Sequence, residues 1–139
     1  MLTTASVMTP NPITVSGETL LQKAQEIMIK RGLRHLPVVE NTAVTGIISD
    51  RDILLAQLAH TGLDDADDLT VSDISSLSVF HVSPQTPLAE TVKLMAEKQI
   101  GSVLVMEASE LLGIFTMTDA CKVLSQQLQP QAEPSADQC

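Results

Sequence analysis

"GIISDRD" at residues 46–52 returns as "GIFTMTD" at residues 113–119. In both copies a glycine leads two apolar residues, a hydroxyl residue, two variable positions and an aspartate. The recurrence extends outward from these stretches. An offset of 67 positions lays residues 2–58 over 69–125 without a gap, and twelve of the 57 pairs are identical. Among them are Leu2/Leu69, Thr3/Thr70, Gly46/Gly113 and Asp52/Asp119. Average composition gives roughly 3 or 4 identities by chance, so the chain is an internal duplication.

Each copy carries the same local signals in the same order. "ITV" (13–15) and "FHV" (80–82) read as short strands followed by Ser-Gly or Ser-Pro turns. Thr19, with Gln22 three residues on, reads as a helix N-cap, and Thr86 precedes Pro87 in the same way. Leu21, Ala24, Ile27 and Met28, with Leu88, Val92, Leu94 and Met95, form apolar stripes at helical spacing, and Gly32 suits the first helix end. "LRHLPVVE" (33–40) with "VTGIIS" (44–49), and "IGSVLVME" (100–107) with "LLGIFT" (111–116), read as hairpins. A last helix begins near Ser49 or Thr116 and runs to about Leu58 or Leu124.

The expected fold is therefore α+β: two pseudo-twofold-related β-α-β-β-α repeats with sheets packed together and helices outside. Neither repeat of roughly 57 residues would bury enough surface alone. The boundaries read as residues 1–59 and 69–125 for the repeats. Residues 60–68 form an acidic linker, and 126–139 a disordered polar tail. The Asp64, Asp65, Asp67 and Asp68 cluster lacks the glycine and distal glutamate of a calcium loop and reads as linker.

Composition excludes several functions. A net charge of −9 argues against a nucleic-acid binder, which needs clustered Lys and Arg to displace counterions. No apolar run is long enough to span a bilayer and residues 1–20 lack a signal-peptide pattern, so the reading is cytoplasmic, without membrane association. Cys121 and Cys139 indicate neither a disulfide framework nor a zinc site. Catalysis is not expected, because no nucleophile elbow, Walker loop or metal-ligand cluster is present. His35, His60 and His81 fall in unlike contexts, and Asp50 and Asp52 point to different faces of a helix start.

Two readings of the heptapeptide stay open. Ser49-x-x-Asp52 and Thr116-x-x-Asp119 are capping boxes, which alone could explain them. The same geometry also suits a nucleotide, since an ionised carboxylate accepts both hydroxyls of a ribose diol while the hydroxyl and helix N–H groups reach a phosphate.

The repeat, its spacing and "RHLPVVE…VTGIISDRD" with "IGSVLVME…LLGIFTMTD" resemble a tandem pair of cystathionine-β-synthase (CBS) domains over nearly all of residues 2–125. The resemblance implies a regulatory module with two clefts between its halves, commonly a homodimer. Its ligand would be AMP, ADP, ATP or S-adenosylmethionine, with no required cofactor and no metal, and it would signal to a protein partner. On that resemblance Asp52 and Asp119 would hold ribose hydroxyls, Ser49 and Thr116 would assist near phosphate, and Thr14, Val15, His81 and Val82 would lie beside the base. Arg34, His35 and Arg51 match basic phosphate-facing residues of some relatives. The second repeat has Gly101, Ser102 and Thr118 there, so unequal clefts are expected. His35 could equally be a hydrogen-bonded surface imidazole, and Arg34 and Arg51 could pair with surface acids. The rival function is a structural dimerisation unit with empty clefts.

Overall fold

In the computed structural model the described residues are 1–59 and 68–130. His60, most of the acidic linker, the end of the tail and Cys139 lie outside them. Two β-α-β-β-α units are present. In the first, helix α2 (Leu21–Arg31) leads to the hairpin of β2 (His35–Glu40) and β3 (Ala43–Ser49), then α3 (Asp50–Ala59). In the second, β4 (His81–Val82) and α5 (Leu88–Lys98) lead to β5 (Ser102–Glu107), β6 (Glu110–Thr116) and α6 (Met117–Leu128). The first unit's opening strand is a single parallel bridge, Val15 to Val38, matching the parallel pairing of Val82 with Val105. Both hairpins carry a register shift at the same position of the repeat alignment, Val38/Val39 and Val105/Met106.

Three short elements were not legible as such: α1 (Thr4–Val7), β1 (Thr9–Pro10) and α4 (Val71–Ile74). They exchange between the units. β1 pairs with β6 of the second repeat through Thr9 and Ile114, and Ser76 bridges to Ile47 of the first. Val71 sits in the first unit's core with Leu21, Leu36 and Ile53, while Val7 and Met8 pack on Met95, Val103 and Phe115 of the second. The heptapeptide glycines follow from this exchange. A β-carbon on Gly46 would lie 2.7 Å from the Ser76 carbonyl oxygen, and one on Gly113 would lie 2.8 Å from that of Thr9. Only glycine lets the exchanged backbone cross at that distance.

The same exchange corrects the expected caps. Helices α2 and α5 begin after Leu20 and Pro87 with no side-chain cap. Thr19 and Thr86 instead turn their hydroxyls to Ser16 and Ser83 in the preceding turns. The first helical N–H groups, of Leu21 and Leu88, donate to the backbone carbonyls of Leu69 and Leu2, so the other repeat caps each helix. At the far ends Gly32 and Gln99 take left-handed conformations, a common way for a helix to end. Helix α6 also runs past the expected boundary to Leu128. Gln126, Gln127 and Leu128 are good helix formers, and Pro130 follows the end.

Candidate functional site

Strands β3 and β6 end where α3 and α6 begin, and both junctions hold complete capping boxes. The Asp52 N–H donates to Ser49 Oγ at 3.1 Å and the Ser49 N–H to Asp52 Oδ2 at 2.9 Å. The Asp119 N–H donates to Thr116 Oγ1 at 3.4 Å, and the Thr116 N–H to Asp119 Oδ2 at 3.0 Å. Each box occupies one carboxylate oxygen. The other oxygen of Asp52 accepts no hydrogen bond among the described residues, while Asp119 Oδ1 accepts from Thr9 Oγ1 at 3.2 Å. Thr9 arrives on exchanged strand β1, so the first repeat completes the second repeat's site.

The carboxylates open onto two clefts built from both repeats. The Asp119 cleft, about 570 Å³, places Thr116, Asp119 and Lys122 opposite Arg34, His35 and Arg51. The Asp52 cleft, about 310 Å³, places Ser49 and Asp52 opposite Ser76, Phe80, Ile100 and Ser102. The basic residues of repeat 1 thus serve the cleft whose carboxylate comes from repeat 2. Among the described residues Arg34, Arg51 and Lys122 have no ion-pair partner; the ion pairs there are Lys23–Glu26 and Lys93–Glu97 on helix surfaces.

His35, Ser49 and Gly101 line both clefts. The imidazole lies against Gly101, where a β-carbon would be 3.5 Å from Nε2. A β-carbon there would make only ordinary contact with the ring, so it is the absence of a longer side chain at the position matching Arg34 that leaves this wall open. Burial pushes the His35 pKa below its ordinary value of 6.5, outweighing the opposing pull of Asp50 and Asp52, and Arg34 adds to the lowering. At neutral pH His35 is an uncharged donor and acceptor.

Thr14, Val15, His81 and Val82 lie outside both clefts. Val15 is buried in the first core, and its backbone N–H and C=O are spent on Pro37 and Val39 of β2. Thr14 lines a separate depression near the hairpin tips with Asn11, Thr42 and Glu110. His81 and Val82 are committed to the ladder with Leu104 and Val105. The segment just before that strand reaches the cleft instead, through Ser78, Val79 and Phe80. Sequence reasoning missed Thr9, Ser76, Phe80 and Lys122 as lining residues. Thr9 and Ser76 carried a usable signal, being hydroxyl residues related by the same offset of 67. Among the described residues no cluster of His, Cys, Asp and Glu could hold a metal ion, and no helix is long and apolar enough to cross a membrane.

A pair of half-domains that exchange segments and enclose two inter-repeat clefts defines the class of molecule. The chain belongs to the CBS domain family, whose model matches residues 5–59 and 71–126. It is 30% identical over 119 residues to the CBS domain-containing protein YhcV of Bacillus subtilis (strain 168), covering 86% of this chain and 83% of that protein. Two solved structures share the fold. The CBS domain pair of protein MJ0100, in complex with 5′-methylthioadenosine and S-adenosyl-L-methionine, superimposes with a TM-score of 0.81 at 23% identity, covering 91% of this chain and 98% of that one. CBSX2 in complex with AMP superimposes with a TM-score of 0.80 at 24% identity, covering 93% and 100%.

Proposed function

We propose that this chain is a regulatory module, not an enzyme, that binds an adenosine-containing ligand between its repeats and passes occupancy to a protein partner in the cytoplasm, working as a homodimer. The observation that carries the reading is the Asp119 cleft, where a capped carboxylate faces Arg34, Arg51 and Lys122, none of which has an ion-pair partner among the described residues. A carboxylate beside unpaired cations suits a ribose joined to a phosphate, with Thr116 assisting. In the second cleft Asp52 takes the corresponding ribose-binding role, with Ser49 beside it. The adenosine ligands of MJ0100 and CBSX2 support the ligand class. Because both clefts are built from two repeats, a ligand shifts the angle between them in proportion to its preference for one arrangement.

A structural reading is favoured by one observation: both capping boxes are complete without a ligand, and a third box, Thr70 with Asp73, caps α4 and lines neither cleft. Thermal denaturation separates the two. With millimolar AMP, ADP, ATP or S-adenosylmethionine, a ligand at about 100 times its Kd adds about 2.7 kcal/mol, or on the order of 5–10 °C for a domain of this size. No rise with any of the four would leave the dimerisation reading.

A further inference from the structure

The two clefts are related position by position, yet their chemistry differs. In the Asp119 cleft Arg34, Arg51 and Lys122 outnumber the carboxylates of Asp50 and Asp119. The Asp52 cleft has no Lys or Arg in its lining; its charge is the Asp52 carboxylate, and its other polar groups are hydroxyls, amides and the imidazole of His35. A phosphate monoester carries close to two negative charges at neutral pH. It is attracted into the first cleft and repelled from the second, and partial burial lowers the screening of both effects. Phe80 adds an aromatic surface to the Asp52 cleft alone, where the matching residue in repeat 1, Ile13, lines neither cleft. A half-buried phenyl ring beside an open carboxylate oxygen suits a nucleobase and a ribose hydroxyl.

We propose that the clefts divide ligands by charge: the Asp119 cleft takes a phosphate-bearing adenine nucleotide, and the Asp52 cleft takes an adenosine-type nucleoside without phosphate. The division rests on the adenosine-binding function proposed above and assigns a chemical class to each site. The wall common to both clefts makes it sharper. His35, Ser49 and Gly101 border both cavities, so two phosphates bound at once would approach each other across a single imidazole. One phosphate per chain satisfies that wall, and a neutral neighbour leaves it undisturbed. The protein would then report two ligands of one metabolic family together, a nucleotide and a dephosphorylated nucleoside.

Isothermal titration with AMP and with adenosine tests the division in the full chain, using Arg34→Gln and Phe80→Ser alongside wild type, with thermal midpoints confirming that each variant is folded. The expected result is one AMP per chain, adenosine bound in addition to saturating AMP, and crossed effects of the variants. Arg34→Gln weakens AMP about tenfold or more while adenosine changes less than about twofold, and Phe80→Ser does the reverse. Two equivalent AMP sites per chain, competition between adenosine and AMP for one site, or variants that weaken both probes alike would overturn the division and leave the adenosine-binding function standing. If neither probe binds at millimolar concentration to wild-type protein, the division falls, and the proposed function falls with it only where ADP, ATP and S-adenosylmethionine also leave the thermal midpoint unchanged.

Discussion

His35 concentrates at one residue the difference between the repeats. Its match in the second copy is Ser102, and it lines both clefts with its ring against Gly101. Since burial holds its pKa below 6.5, the unfolded chain takes up a proton before the native chain does as pH falls. Stability is therefore present above 6.5 and is lost progressively as pH drops from 6.5 to the depressed native value. Urea denaturation of wild type and His35→Gln at about pH 7.5 and about pH 5.5 checks the sign, since the other titrating groups are common to both. Wild type should lose more stability than the variant on acidification; an equal or smaller loss would contradict the burial argument. Among single residues the heptapeptide aspartates were legible because the hydroxyl and acid spacing of a capping box is local. Lys122 and Thr9 were not, because what makes them cleft residues is the side chains opposite, all of them far away in the chain in the other repeat.

At the scale of elements, the long hairpins and the four helices of ten or more residues carried periodicities that a sequence shows. The exchanged pieces did not. A two-residue strand and four-residue helices are too short for a period to register, and their partners lie in the other repeat. Thr19 and Thr86 were misread as caps for the same reason, since the carbonyls that satisfy those helices come from Leu69 and Leu2. The glycines at the crossings give a direct check. Gly46→Ala and Gly113→Ala each place a methyl group against a backbone carbonyl that has no rotamer to yield, so each should cost on the order of 1–3 kcal/mol in chemical denaturation. A loss below about 0.5 kcal/mol at both positions would mean that the exchanged strands adjust easily.

For the whole molecule, the two apolar clusters look like two small cores, yet each contains residues contributed by the other repeat. Opening the second unit removes the partner of β1, and opening the first removes the partner of Ser76. Unfolding should therefore be one cooperative transition. Native-state hydrogen exchange should give the amides of β2 and of β5 the same global opening free energy, and two separate values would show that the repeats unfold independently.

The exchange also bears on how such a chain could arise. Thr9 with Ile114 and Ser76 with Ile47 are the same contact made twice, in opposite senses, by positions 67 apart. One unit on its own would present an unsatisfied sheet margin and the very segment that fills it, so a half-length ancestor could complete itself only with a second, identical molecule. Fusing two such molecules end to end turns a concentration-dependent assembly into a permanent one. Once both halves belong to a single gene, they are no longer bound to mutate in step, and an arginine gained on one side need not be gained on the other.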